Sequence, residues 1–236
     1  MSLFEKEERA GGQLHFASQA PYKQVYGEWI SWLISQVERV GVQIQTNACV
    51  TDKMLDEGEP EIVILATGGE KIIPSIPGID LPIACNAWQI LGKEIPAKEN
   101  VVVVGSGVIG METADFLIEG GSKVTLVEVL KRSPVTTFTS HGYMLHKRLR
   151  DGGCRFLFNT AVESIKEDSV TVISEGNKEA VSPVDQVVIA VGMRPHDGLK
   201  RALEERGIRH HIVGDASEVR RIIEATEEGA RTAWDI

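Results

Sequence analysis

The chain has 236 residues, 42% of them hydrophobic and 25% charged, an ordinary globular composition with enough apolar material for a real core. Its 25 Lys and Arg against 34 Asp and Glu give a net charge of −9, with no basic stripe, which argues against a nucleic-acid partner. No apolar run approaches the roughly 20 residues that span a bilayer and no secretory leader pattern opens the chain, which argues against a membrane protein. Three scattered cysteines, Cys49, Cys85 and Cys154, exclude a disulfide framework and predict a reducing, cytoplasmic setting.

In chain order, Met1-Ser2-Leu3 is set aside as a cloning remnant. Trp29, Leu33, Val37 and Val40 recur at helical spacing and predict a helix over 26–40, stopped by Gly41. A strand is expected over 42–45, and Glu61–Ala66 reads as a buried strand of a parallel sheet. Asp56–Glu59 reads as a solvated turn and the Pro- and Gly-rich 74–82 as an extended linker. A second unit starts near Asn100: a strand at 101–104, a glycine turn, a helix over 108–119 and a strand at 123–129. A helix over 140–150, a strand at 155–158, a three-stranded meander between 162 and 182, and a buried strand at 187–190 follow. His210-His211 precede a strand that ends at Asp215, and 222–234 is a closing helix. Ile64-Leu-Ala-Thr-Gly68 and Ile189-Ala-Val-Gly192 repeat one theme, a buried strand ending at a glycine.

The main chemical signal is Gly105-Ser106-Gly107-Val108-Ile109-Gly110. It follows a four-valine strand, opens a helix, and is followed 23 positions after Gly105 by Glu128 at the end of the next strand. That is the setting in which G-x-G-x-x-G binds a dinucleotide. The first glycine permits the turn, the second admits the diphosphate and the third lets helix and strand pack closely. The helix N-terminus offers unpaired amides and positive potential to the phosphates. Glu128 is placed to accept the ribose hydroxyls and to repel a 2′-phosphate, favouring NAD(H) over NADPH, although Lys131 and Arg132 lie close by. Glu112, in the first helical turn, is explained either by the helix dipole or by contact with the nicotinamide end of the cofactor.

The ordered set Glu5-Lys-Glu-Glu-Arg-Ala-Gly-Gly-Gln-Leu14, Ile64–Gly68, the turn at 105–110, Val191-Gly-Met-Arg-Pro195 and Val213-Gly-Asp-Ala216 resembles the pyridine nucleotide-disulfide oxidoreductase superfamily. It is most similar to the C-terminal half of NADH:flavin oxidoreductases of the 2,4-dienoyl-CoA reductase and trimethylamine dehydrogenase type. The resemblance implies an α/β fold of two Rossmann-like lobes, an NAD(P)H-binding lobe at 92–192 inserted in an FAD/ADP-type lobe made of 1–91 and 193–236. It further implies that Glu5, with Gly12 in the same stretch, serves the FAD adenosine ribose. Ala66, Thr67 and Gly68 would pass the flavin nucleotide and Gly192 the nicotinamide nucleotide. Gly214 and Asp215 would serve the ribityl and pyrophosphate region; Asp215 reads equally as a strand-end turn residue.

Departures from that pattern carry expectations too. A glycine turn some 30 residues before Glu5 is missing, so the first lobe lacks its initial strand and the chain reads as a fragment. Its partner would be a missing N-terminal FMN and iron–sulfur barrel, and its FAD site would be incomplete. The bared edge at Val63-Ile64-Leu65 predicts homo-oligomerisation or a rearranged lobe. No Cys-x-x-Cys pair, metal pattern or convincing acid, base or nucleophile appears, so no catalytic or metal residue is assigned. Three readings stand: part of a flavin-dependent oxidoreductase passing hydride between NAD(P)H and a flavin, a non-catalytic ADP- or NAD(H)-binding module, or a piece of a disulfide or ferredoxin reductase.

Overall fold

The computed structural model describes residues 1–236. In chain order the elements begin with β1 (Ser2–Phe4), α1 (Leu14–Ala17), α2 (Val25–Arg39), β2 (Gln43–Gln45), α3 (Asp52–Gly58), β3 (Ile62–Leu65) and β4 (Gly69–Lys71). Next come β5 (Ala84–Asn86), α4 (Ala87–Leu91), β6 (Asn100–Val104), α5 (Val108–Glu119), β7 (Lys123–Val127), α6 (Ser140–Asp151) and β8 (Arg155–Leu157). The chain continues with β9 (Thr160–Ile165), β10 (Val170–Ser174), β11 (Asn177–Val181) and β12 (Gln186–Ile189). It closes with β13 (Met193–Pro195), α7 (Lys200–Glu205), β14 (Arg209–Ile212) and α8 (Ile222–Asp235). No helix is long and apolar enough to cross a membrane.

Two compact units form. One comprises Gln13–Trp32 and Ile73–Gly192, the other Met1–Gly12, Leu33–Ile72 and Met193–Ile236. The glycine-turn unit is therefore larger than the 92–192 lobe expected, because residues 13–32 and 73–91 pack with it.

The glycine-turn unit is built on a parallel sheet in the order β5-β12-β6-β7-β8. Its central strand is the valine run: Val101, Val102, Val103 and Val104 are all buried, as a strand covered on both faces requires. Helix α5 covers one face through Met111, Ala114 and Leu117, and β9, β10 and β11 form the separate antiparallel sheet anticipated as a meander. Residues 74–82 are no free linker. Ile76, Ile79 and Leu81 pack on the core that includes Val102, Val104 and Val187, and β5 then joins the sheet. Helix α4 starts in a reciprocal cap, with the Gln89 amide donating to Asn86 Oδ1 at 3.1 Å and the Asn86 amide to Gln89 Oε1 at 3.0 Å.

The other unit has only two-stranded ladders: β1 with β2, β3 with β14 (both parallel), and β4 with β13 (antiparallel). Ser2 and Leu3 belong to β1, pairing with Gln43 and Ile44, so they are part of the fold rather than a dispensable tail. Asp56, Glu57 and Gly58 form the end of α3, which Thr51 caps at Met54, and only Glu59 leaves the helix with φ of +40°. His210 and His211 lie inside β14 rather than before it. Helix α2 is divided between the units at Trp32, and its expected apolar face is not what is buried: its one buried residue, Ile30, belongs to the glycine-turn unit, and Val40, just past its end, lies exposed. The small core here rests on Leu55, Leu65 and Leu203. Ile64 in β3 stays 42% exposed, and β3 pairs on one side only.

Removing buried volume should therefore cost unequally. Leu126→Ala, at a position with no solvent exposure, should lose roughly 2–5 kcal/mol in chemical denaturation, whereas Ile64→Ala should lose under about 1 kcal/mol. Equal losses would mean that the sheet is not the main source of stability.

Candidate dinucleotide site

The turn after β6 is shaped by two close approaches. Gly105 has φ of +102°, and a Cβ there would lie 2.5 Å from the Ala190 carbonyl oxygen. A Cβ on Gly110 would lie 2.0 Å from the Gly105 carbonyl oxygen, so the first turn of α5 rests directly on the loop. Gly107 differs. It is the extended residue that starts α5, and a Cβ there would meet nothing within 4 Å. It faces open space, and the amides following it, at Val108 and Ile109, lie in the part of a helix that has no internal acceptors.

Glu128 stands at the end of β7, adjacent to that turn and almost fully buried. Both the amide and the hydroxyl of Ser106 donate to its Oε2 at 2.7 Å, and the Leu130 amide donates to Oε1 at 3.0 Å. A carboxylate has about four acceptor positions, so one on Oε1 is left for a ligand hydroxyl. Ser133 extends the network, its hydroxyl donating to the Ser106 carbonyl at 2.6 Å. The motif's first variable residue thus aims the acid.

Glu112 lies in the first turns of α5, and its carboxylate is engaged by the chain itself. The Lys23 ammonium bonds Oε1, and His141 Nε2 lies 3.2 Å from the same oxygen. Lys23 also stands 5.4 Å from the centre of the Tyr26 ring. One turn along, Arg148 donates through Nε and a terminal nitrogen to Asp115 Oδ2 at 2.8 and 2.6 Å. Both buried acids of an otherwise apolar helix are therefore neutralised by cations from other segments, as burial demands. Sequence reasoning missed Lys23, His141 and Arg148. The signal was the acid pair at i and i+3 on a helix too apolar to leave it unpaired. His146, by contrast, sits at 2.8 Å from the Val135 carbonyl and stacks on Phe156, a structural place.

The remaining predicted residues, Gly192 apart, lie in the other unit. Glu5 ends β1 and accepts the Glu7 amide at 3.0 Å, the same two-residue bond that Glu128 makes with Leu130. Gly12 follows in the adjoining turn, with φ of +51°. Ala66 and Thr67 are exposed, and the Thr67 hydroxyl bonds the His196 carbonyl while the His196 amide donates to Gly68 at 3.0 Å. Beside them Arg194, and then His196, hold the Glu70 carboxyl below its usual range. Gly214 donates to Glu228 at 2.7 Å, and Asp215 accepts the Arg220 amide at 3.1 Å. Gly192 closes the glycine-turn unit. Burial pushes the Cys85 thiol up to about 11 and the Cys154 thiol up to about 12, which makes both poor nucleophiles. No cluster of three or more His, Cys, Asp or Glu is placed to hold a metal.

The chain matches the pyridine nucleotide-disulphide oxidoreductase family over residues 10–217. It belongs to that family. It is 32% identical over 239 residues to an NADH oxidase of Thermoanaerobacter brockii, covering 99% of this chain and 37% of that protein. To a bilirubin reductase of Mediterraneibacter gnavus it is 33% identical over 228 residues, covering 96% of this chain and 35% of that protein. A solved complex of 2-naphthoyl-CoA reductase with 2-naphthoyl-CoA superposes with a TM-score of 0.90 at 25% identity, over all of this chain and 36% of the other. Histamine dehydrogenase of Rhizobium sp. 4-9 superposes with a TM-score of 0.83 at 22% identity, over all of this chain and 40% of the other. The α/β architecture with its parallel, Rossmann-like sheet is that of the family, and the chain spans little more than a third of these relatives.

The Lys23–Glu112 pair is testable as a structural device, because the two side chains are only 16% and 7% exposed. Lys23→Met should destabilise by roughly 3 kcal/mol in thermal or chemical denaturation, and Glu112→Leu added to it should recover part of the loss. A neutral single variant would show that His141 alone satisfies the carboxylate.

Proposed function

We propose that this chain is the dinucleotide-binding part of an NAD(P)H-dependent, flavin-dependent oxidoreductase, of the NADH:flavin oxidoreductase type to which 2,4-dienoyl-CoA reductase and trimethylamine dehydrogenase belong. In this reading it works in the cytoplasm, joined to an N-terminal portion that carries the flavin and iron–sulfur chemistry. The observation that carries the proposal is the Glu128 carboxylate, held by Ser106 within the glycine turn and left with one free acceptor position.

The residues present fit a nicotinamide dinucleotide. The open space at Gly107 admits a diphosphate, and the amides of Val108 and Ile109 supply its hydrogen bonds with the helix potential behind them. Glu128 takes a ribose hydroxyl, and its charge favours NADH over a 2′-phosphorylated ribose. Bound NADH supplies the hydride, and the chain contributes position rather than proton transfer. Glu112 orients the entry of α5 through Lys23 and His141, on the side where we place the nicotinamide end.

In the other unit Glu5 is matched to the FAD ribose acid, and it holds the Glu7 amide at 3.0 Å by the same two-residue bond that Glu128 makes with Leu130. The unpaired edge of β3, with Ile64 half-exposed, is where we expect another strand to pair, from a second copy or from the N-terminal portion proposed above.

Isothermal titration with NADH tests the reading. One site per chain is expected, with Gly107→Ala and Glu128→Ala each weakening binding at least tenfold while the circular dichroism spectrum is unchanged. Absence of NADH binding by a folded chain would overturn the dinucleotide assignment.

A further inference from the structure

A cleft of about 800 Å³ opens between the loop of residues 130–138, helix α6 and strand β8. Three features set it apart from ordinary surface. Phe156 in β8 and Phe158 just after it stack with centroids 5.6 Å apart and planes 17° from parallel. His146 continues the stack on Phe156, at 6.5 Å and 26°. Phe138, on the loop that lines the cleft, is 98% exposed, an apolar ring with no packing partner in the fold.

The second feature is charge. Lys131, Arg132 and Arg150 line the cleft, and no carboxylate does. None of these three side chains makes an ion pair or hydrogen bond. In the same unit Arg148 and Arg155 are bonded to Asp115 and Glu179. In a chain of net charge −9, three unpaired cations around an aromatic wall are a local reversal of sign, and such a surface attracts anions. Rings that stack and cations that stand beside them are together complementary to one kind of molecule.

The third feature is position. Phe156 is on β8 and Phe158 directly follows it; β8 is the outermost strand, two strands from β6 and its glycine turn, a separation of roughly 10 Å. The loop is nevertheless tied to that turn, through Ser133 and the Ser106 carbonyl.

We propose that this cleft is a second binding site, for a small planar aromatic anion whose ring packs against the wall of Phe156 and Phe158 and whose carboxylate or phosphate meets Arg150, Arg132 and Lys131. The site does not depend on the dinucleotide reading and would stand if that reading failed. An aryl acid and a purine monophosphate share this chemistry, and the probes separate them.

Isothermal titration of the full chain with naphthalene-2-carboxylate and with adenosine monophosphate, each with and without saturating NADH, tests the proposal; naphthalene-2-methanol and adenosine are the uncharged controls. At least one anion should bind once per chain, at least tenfold more tightly than its uncharged counterpart, and equally well with NADH present. Arg150→Gln and Lys131→Gln, both at exposed positions that leave the fold intact, should each weaken it at least fivefold, and Phe158→Leu should weaken it too. The proposal is overturned if neither anion binds at millimolar concentration, if the uncharged compounds bind as well, if the charge variants change nothing, or if NADH displaces the probe, which would assign the cleft to the dinucleotide itself.

Discussion

The carboxylate of Glu128 is the constraint around which the glycine-turn unit is organised. A buried acid must be satisfied, and here the satisfying groups are the amide and hydroxyl of Ser106 and the amide of Leu130. That requirement fixes the turn after β6 against the end of β7. It also leaves Gly107 facing outward at the head of α5, where amides without partners accumulate. Gly105 and Gly110 make the arrangement possible, since a side chain at either position would collide with backbone. Fold and candidate site are therefore one piece of geometry in this unit: the contacts that close the turn also leave the head of α5 open.

The rest of the unit supports that geometry. The fully buried valine strand places the turn at the C-terminal edge of a parallel sheet, where doubly wound folds bind their ligands. Helix α5 carries two buried acids, each neutralised from outside the helix by Lys23 or Arg148, so its orientation is set by ion pairs as well as by apolar packing. The other unit is organised differently. Its strands form only pairs, its core is small, and an isoleucine in β3 stays half-exposed. Glu5 there repeats the two-residue bond of Glu128.

What the sequence disclosed follows from the range of the forces involved. The turn at 105–110, its strand and its helix were legible because their signals are local: consecutive apolar residues, glycines at fixed spacing, an acid one strand on. The meander was legible for the same reason, through alternation and tight turns. Three things were not. The packing of 74–82 on the core depends on contacts of Ile76, Ile79 and Leu81 with residues around position 187, which no local pattern encodes. The acidic run at 56–59 hid a helix end, since α3 is fixed by the Thr51 cap and by Leu55 rather than by its charges. The partners of Glu112 came from Lys23 and His141, 89 and 29 positions away, and only a folded chain brings such groups together. The cleft beside β8 belongs to the same class, because its cations and rings come from a loop, a helix and a strand.

The account is most directly tested by mapping backbone amide resonances of the chain during titration with ADP-ribose, the part of the dinucleotide that the turn and Glu128 are argued to hold. The largest shifts should fall on Ser106 through Ile109 and on Leu130, saturating together at one equivalent. Saturable shifts that leave those amides unmoved, or none at all in a chain whose spectrum is that of a folded protein, would contradict it.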